Sequence, residues 1–118
     1  MSYAERHSVT ATTIADGSAT AYLPVVTGRI HSLAYTKVDF ADGVDFTITA
    51  EATGQSIWTD QNINASETVY PLAAGNLGAT GAASTLTEVP IVLANDRVKI
   101  VIAAGGNVKT GTFTITVS

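Results

Sequence analysis

Residues 44 to 58 read VDFTITAEATGQSIW. Phe46, Ile48 and Ala50 alternate with Thr47, Thr49 and Glu51, the period-2 pattern of a strand with one buried face. Thr53-Gly54 breaks the run, and Ser56-Ile57-Trp58 resumes with residues that favour strands. This stretch predicts a hairpin that delivers Phe46, Ile48, Ile57 and the only Trp of the chain to one core.

The same pattern extends in both directions. Upstream, Met1 to Arg6 is polar and reads as a loose arm, and His7 to Ile14 is β-branched and reads as a strand. Asp16-Gly17 supplies the positive-φ positions of a tight turn. Ala19 to Val26 follows as a second strand, with Pro24 arguing for an edge or a bulge because proline cannot donate to a ladder. Arg29 to Phe40 is the longest candidate. Its alternation is imperfect: Leu33 and Tyr35 share a face with His31 and Lys37, and Ile30, Ala34, Val38 and Phe40 share the other, which calls for a bulge or burial on both faces.

Downstream, Thr59 to Ser66 is polar and turn-like, and Glu67 to Tyr70 reads as a short strand before Pro71. Residues 72–87, LAAGNLGATGAASTLT, carry no aromatic and no sustained period, and read as a long Ala/Gly-rich loop suited to making contacts. Glu88 to Leu93 is a strand interrupted by Pro90, Arg97 to Ala103 is apolar on nearly both faces, and Ala104 to Asn107 is a turn. Thr110 to Ser118 places Phe113, Ile115 and Val117 inward and Thr112, Thr114 and Thr116 outward. The sum is an all-β, single-domain antiparallel β-sandwich (jelly-roll-like) over residues 7–118, of about eight or nine short strands.

Composition narrows the function classes. The 118 residues are 46% hydrophobic and only 14% charged, against about 25% charged in ordinary soluble domains. Few charges and much Thr point to surface that meets protein rather than water. The net charge is −4, and the basic residues, scattered from Arg6 to Lys109, form no run, so nucleic acid is not an expected partner. No apolar stretch approaches the roughly 18 residues of a spanning helix, so no membrane partner is expected. The start, MSYAERHSV, lacks the apolar region of a signal peptide. Without cysteine, thiolate metal sites and Cys nucleophiles are excluded.

Candidate chemistry is sparse. Asp39, Asp42 and Asp45 in DFADGVD are spaced to surround a hard cation, but the calcium-loop order is not met and Asp42-Gly43 suits a turn. Asp60, Asn62 and Asn64 resemble the opening of a calcium loop that lacks its glycine and closing glutamate. His7 and His31 have no partner motif, and no serine sits in a nucleophile elbow. Asn64-Ala65-Ser66 matches a glycosylation sequon. Trp58 with Tyr22, Tyr35 and Tyr70 would make a sugar-stacking platform if exposed, whereas a sandwich core is the commoner place for a lone Trp. The residues therefore assign no catalytic, cofactor-binding or metal site, and the expectation is a protein that is not an enzyme.

Three stretches carry a resemblance. HSVTATTIADGSATAYLPVVTGRIHSLAY, DFADGVDFTITAEATGQSIW and LANDRVKIVIAAGGNVKTGTFTITV resemble a family of small proteins from the head-gene modules of tailed bacteriophages and prophages. The likeness spans most of the chain outside residues 72–87. It implies a virion structural protein that binds and stabilises the capsid as a decoration (cement) or minor capsid protein. It also implies assembly in the host bacterial cytoplasm, and as partners the major capsid protein and further copies of itself, a trimer being favoured. The contacting segments expected are Met1 to Arg6 and residues 72–87. A head–tail connector or tail protein fits the same likeness. The rival from another class is a carbohydrate-binding or tail-associated adhesion module, which expects an exposed Trp58 and a groove. A hydrolase expects polar side chains converging in a pocket.

Overall fold

A computed structural model describes residues 4–76 and 83–118. Its strands are β1 (Glu5–Thr12), β2 (Ala19–Tyr22), β3 (Val26–Lys37), β4 (Val44–Ala50), β5 (Ser56–Ile63), β6 (Glu67–Val69), β7 (Leu72–Asn76), β8 (Ala83–Pro90), β9 (Val92–Asp96), β10 (Val98–Ala103) and β11 (Thr110–Val117). There is no helix among the described residues.

The strands form two antiparallel sheets and a separate hairpin. One sheet runs β1-β11-β3-β6, with β9 pairing beside β6 on the same edge of β3. The other runs β2-β10-β4-β5, and β7 pairs with β8. With β7, β8 and β9 set aside as an insertion, the remaining strands pass from sheet to sheet, apart from the β4–β5 hairpin, in the winding order of a jelly roll. The all-β sandwich expected from the sequence is the fold observed.

The two sheets share one core. Tyr35 and Phe113 of the first sheet meet Phe46 of the second at ring-centroid distances of 4.7 and 5.0 Å, both edge-on, and Phe46 meets Trp58 edge-on at 5.5 Å. Edge-on contact sets the positive rim of one ring against the negative face of the next. Around these rings pack Leu33, Ile48, Leu93, Ile100, Ile102 and Ile115, all fully buried. The alternation that defined each strand is the alternation that fills this core: in β11 every second residue from Gly111 to Val117 is buried.

The irregular phase of β3 is a bulge. Val117 faces Ile30 while Thr116 faces Ser32, so β3 carries one extra residue there. Burial accordingly switches from Ile30 to the odd-numbered Leu33 and Tyr35. A second bulge in β5, where Ile48 faces Trp58 and Thr49 faces Ser56, lets the neighbours Ile57 and Trp58 both be buried.

Four expectations need correction. Residues 72–87 are not one loop: Leu72–Asn76 and Ala83–Pro90 pair as a hairpin, Leu72 opposite Pro90 and Ala73 opposite Val89, with residues 77–82 outside the described part. The ladder runs through an Ala/Gly-rich sequence without period, which conceals it. Thr59 to Ile63 is not a turn but the second half of β5, an edge strand whose exposed Asp60, Gln61 and Asn62 leave only Ile63 to signal burial. The arm is shorter than residues 1–6, because Glu5 and Arg6 pair with Val117 and Thr116; residues 1–3 lie outside the described part. Among the described residues the strand count rises to eleven, since β7 is added and Pro90 closes β8 and Val92 opens β9 where one strand was expected.

Candidate functional site

The polar residues singled out by sequence are engaged in local and cross-strand hydrogen bonds. Asp39 Oδ1 accepts from the Thr110 N–H at 2.6 Å and the Thr110 hydroxyl at 3.1 Å. These bonds, led by the backbone one, hold its carboxyl below the ordinary value of 3.8. Asp42 accepts from Lys37 Nζ at 2.5 Å, and Asp45 Oδ1 accepts from the Asn62 N–H at 3.0 Å. The three carboxylates thus serve three different partners. Asp60 accepts from the Gln61 N–H at 2.8 Å, and Asn64 Oδ1 accepts from the Gly43 N–H at 2.7 Å, tying the β3–β4 turn to the segment after β5. Ser66 of the sequon accepts from the Lys37 N–H at 2.9 Å. Among the described residues no three His, Asp or Glu side chains gather where a metal would be held.

The histidines are apart. His7 lies in β1 with Nε2 3.4 Å from Glu5 Oε2, and His31 in β3 bonds through Nε2 to the Ser118 hydroxyl. The aromatic platform is dispersed too. Trp58 is 9% exposed and sits under Phe46, and Tyr35 is buried in the core. Burial, with Asp39 nearby, pushes the Tyr35 phenol up to about 12. Tyr22 lies beneath the Arg97 guanidinium, 3.9 Å from its ring centroid, and Arg97 is held in turn by Glu51. Of the four, Tyr70 is the most exposed.

Two surfaces stand out among the described residues. The first is at the insertion. From Tyr70 to Ala73, and again from Pro90 to Leu93, burial alternates: Pro71, Ile91 and Leu93 turn inward while Tyr70, Leu72, Pro90 and Val92 turn outward. Tyr70, Leu72 and Val92 are 72%, 53% and 61% exposed. Since Leu72 faces Pro90 across the β7–β8 ladder, these side chains form an apolar stripe. Beside it lies a shallow depression of about 320 Å³ lined by Thr53, Gln55, Ala73, Val89, Ile91 and Val92. Sequence reasoning pointed to residues 72–87 as a contact segment but missed the outward stripe that flanks it. The signal was available in the alternation of Tyr70, Leu72, Pro90 and Val92 around inward Pro71 and Ile91.

The second surface is the outer face of the β1-β11-β3-β6 sheet. The register lines up Thr10, Thr112 and Thr36, then Ser8, Thr114, Ala34 and Thr68, then Arg6, Thr116 and Ser32. Ser8 and Thr114 hydroxyls pair at 2.9 Å, and Thr10 and Thr112 at 3.2 Å. Arg6 is the only charged side chain in these rows. The face is a hydroxyl surface with a shallow depression of about 420 Å³ beside Arg6, and it offers neither a nucleophile with a base nor convergent carboxylates.

No protein-family model matches this chain, and no curated protein matches it significantly.

Proposed function

We propose that this protein is a structural component of a bacteriophage virion that binds the major capsid protein and stabilises the shell, as a decoration (cement) or minor capsid protein. It assembles with further copies of itself in the host bacterial cytoplasm and catalyses no reaction. The observation that carries this reading is the apolar stripe of Tyr70, Leu72, Pro90 and Val92, which is held out by a hairpin insertion on a sandwich body of low charge. An exposed apolar patch of this kind is what a protein–protein contact needs. The resemblance of the strand sequences to phage head-module proteins supplies the identity of the partner. Weak contacts suffice, because a shell repeats its binding site many times. The carbohydrate-binding alternative draws no support from Trp58, whose indole is packed against Phe46 in the core.

The test is co-sedimentation of the purified protein with empty shells of the phage that carries it. Binding should saturate at a fixed number of copies per shell, and Leu72→Asp should weaken it by about tenfold or more, the effect of losing a well-packed interface anchor. Thr47→Asp, on the outer face of the other sheet, should leave it unchanged. Failure of the unaltered protein to sediment with shells would overturn the reading.

A further inference from the structure

Two antiparallel sheets have four edges, and three of them are blunted in the ways that prevent edge-to-edge pairing. β2 is four residues long and runs on to Pro24. β5 carries two register breaks and a positive φ of 58° at Asn62. The far edge of β3 is shared by the three-residue β6 and by β9, whose pairing is broken by a bulge. β1 is different. Its eight residues contain no proline, and they pair with β11 in one unbroken register from Glu5–Val117 to Thr12–Thr110. The next strand, β2, lies near β1 but pairs with β10 in the other sheet, so among the described residues no strand pairs with the outer side of β1.

The hydrogen-bond phase shows which backbone groups are free. The Thr13 N–H donates to the Lys109 carbonyl at 2.8 Å, which continues the β1–β11 register by one pair. Bonded pairs alternate along an antiparallel ladder, so Ala11, Val9, His7 and Glu5 bond to β11. The N–H and C=O groups of Arg6, Ser8, Thr10 and Thr12 then point to the open edge.

We infer that β1 pairs with β1 of a second copy across a twofold axis at Val9, continuing the hydroxyl sheet from one molecule into the next. Only the register centred on Val9 matches all four free residues: Arg6 faces Thr12 of the second copy and Ser8 faces its Thr10. In the intervening pairs Val9 meets the second Val9, and His7 meets Ala11. No like charges come opposite one another, and inward-facing residues stay inward. An isologous contact of this kind closes on itself as a dimer. This specifies the self-association in the proposed function and rests on that part of it. It replaces the trimer favoured by sequence with a twofold contact.

The experiment is light scattering and sedimentation of the full chain over a wide concentration range, with Ser8→Pro alongside. The Ser8 N–H bonds nothing within its own sheet, so proline there should leave the thermal unfolding within a few degrees of the unaltered protein and weaken dimerisation by about tenfold or more. The chain has no cysteine, so a nitroxide on Thr10→Cys reports geometry directly. Thr10 and its counterpart are diagonal neighbours about 8 Å apart in the proposed register, which should give strong dipolar broadening. A label on Thr47→Cys should show none. A strict monomer, a trimer, a dimer indifferent to Ser8→Pro, or an unbroadened Thr10 label would each overturn the pairing. A monomer that still sediments with shells would sink this inference and leave shell binding standing. A β1 dimer that ignores shells would do the reverse.

Discussion

The two ends of the sandwich are held together differently. At the end where β1 turns into β2 and β10 into β11, polar groups are consumed internally. Thr13 is buried, donates its hydroxyl to the Gly106 carbonyl at 2.6 Å and accepts from the Lys109 N–H at 2.8 Å. The Gly105 N–H donates to the Gly17 carbonyl and the Ala41 N–H to the Gly105 carbonyl, both at 2.9 Å. Gly17 has a φ of +84° with backbone nitrogens 3.1 Å from where a Cβ would stand, so no other residue fits that turn without strain. At the insertion end the polar groups also hold turns, Asp96 accepting from the Ala52 and Arg97 N–H groups, but Tyr70, Leu72 and Val92 stay uncovered. The first end leaves Ile14, Val38 and Val108 exposed as well, but its polar groups are knitted into one turn network; the second end is set apart by Leu72 facing Pro90 across the hairpin ladder. Substitutions should therefore cost stability at the first end and partner binding at the second.

Gly111 gives the sharpest contrast. A Cβ there would lie 2.4 Å from Phe40 Cε2 and 2.9 Å from Tyr35 Cε1, so Gly111→Val should destabilise the fold by about 3 kcal/mol in urea unfolding. Thr13→Val keeps the shape but strands the Gly106 carbonyl and the Lys109 N–H, and should cost about 2 kcal/mol in the same assay. Asp39 tests the first end by pH. Its pKa is lowered in the fold, so its contribution is complete above the ordinary carboxyl value and is lost as pH falls through the lower folded one. The unaltered protein should lose melting temperature below about pH 4 more steeply than Asp39→Asn does. Leu72→Asp, at the insertion end, should shift stability by no more than about 0.5 kcal/mol while abolishing most shell binding. A large loss of stability there would erase the contrast.

How much of this was legible in the sequence follows from the range of the interactions involved. The alternation of Thr110 to Val117 and of Val44 to Ala50 was readable because one buried face imposes period 2 on local sequence. Asp16-Gly17 was readable because its Asx turn is local, Asp16 Oδ1 accepting from the Ser18 hydroxyl at 2.7 Å and N–H at 3.0 Å. The β3 bulge showed as a phase error. The β7–β8 hairpin was not legible, since Ala73 and Ala74 pair with Val89 and Glu88 through backbone that leaves no period. Nor was the half of β5 that reaches Ile63. Asp42-Gly43 reads as a turn and lies in one, but Asp45 and Asp60 stand in strands, and partners such as Thr110 for Asp39 lie across the chain and have no local signature. The open edge of β1 depends on what every other strand does, so no stretch of sequence announces it.

The winding order has a consequence for how the protein is made. β10 lies between β2 and β4, and β11 between β1 and β3, so the middle of each sheet is synthesised after the strands it separates. Until those residues leave the ribosome, β1 and β3 have no shared partner, and neither have β2 and β4. A nascent chain in this state holds many unpaired strands and almost no local ladder beyond β4–β5 and the insertion hairpin. Folding dominated by such distant pairings is slow, and its unfinished forms are the ones that aggregate. Premature release anywhere before Thr110 would yield not a smaller domain but a set of strands with their centre missing.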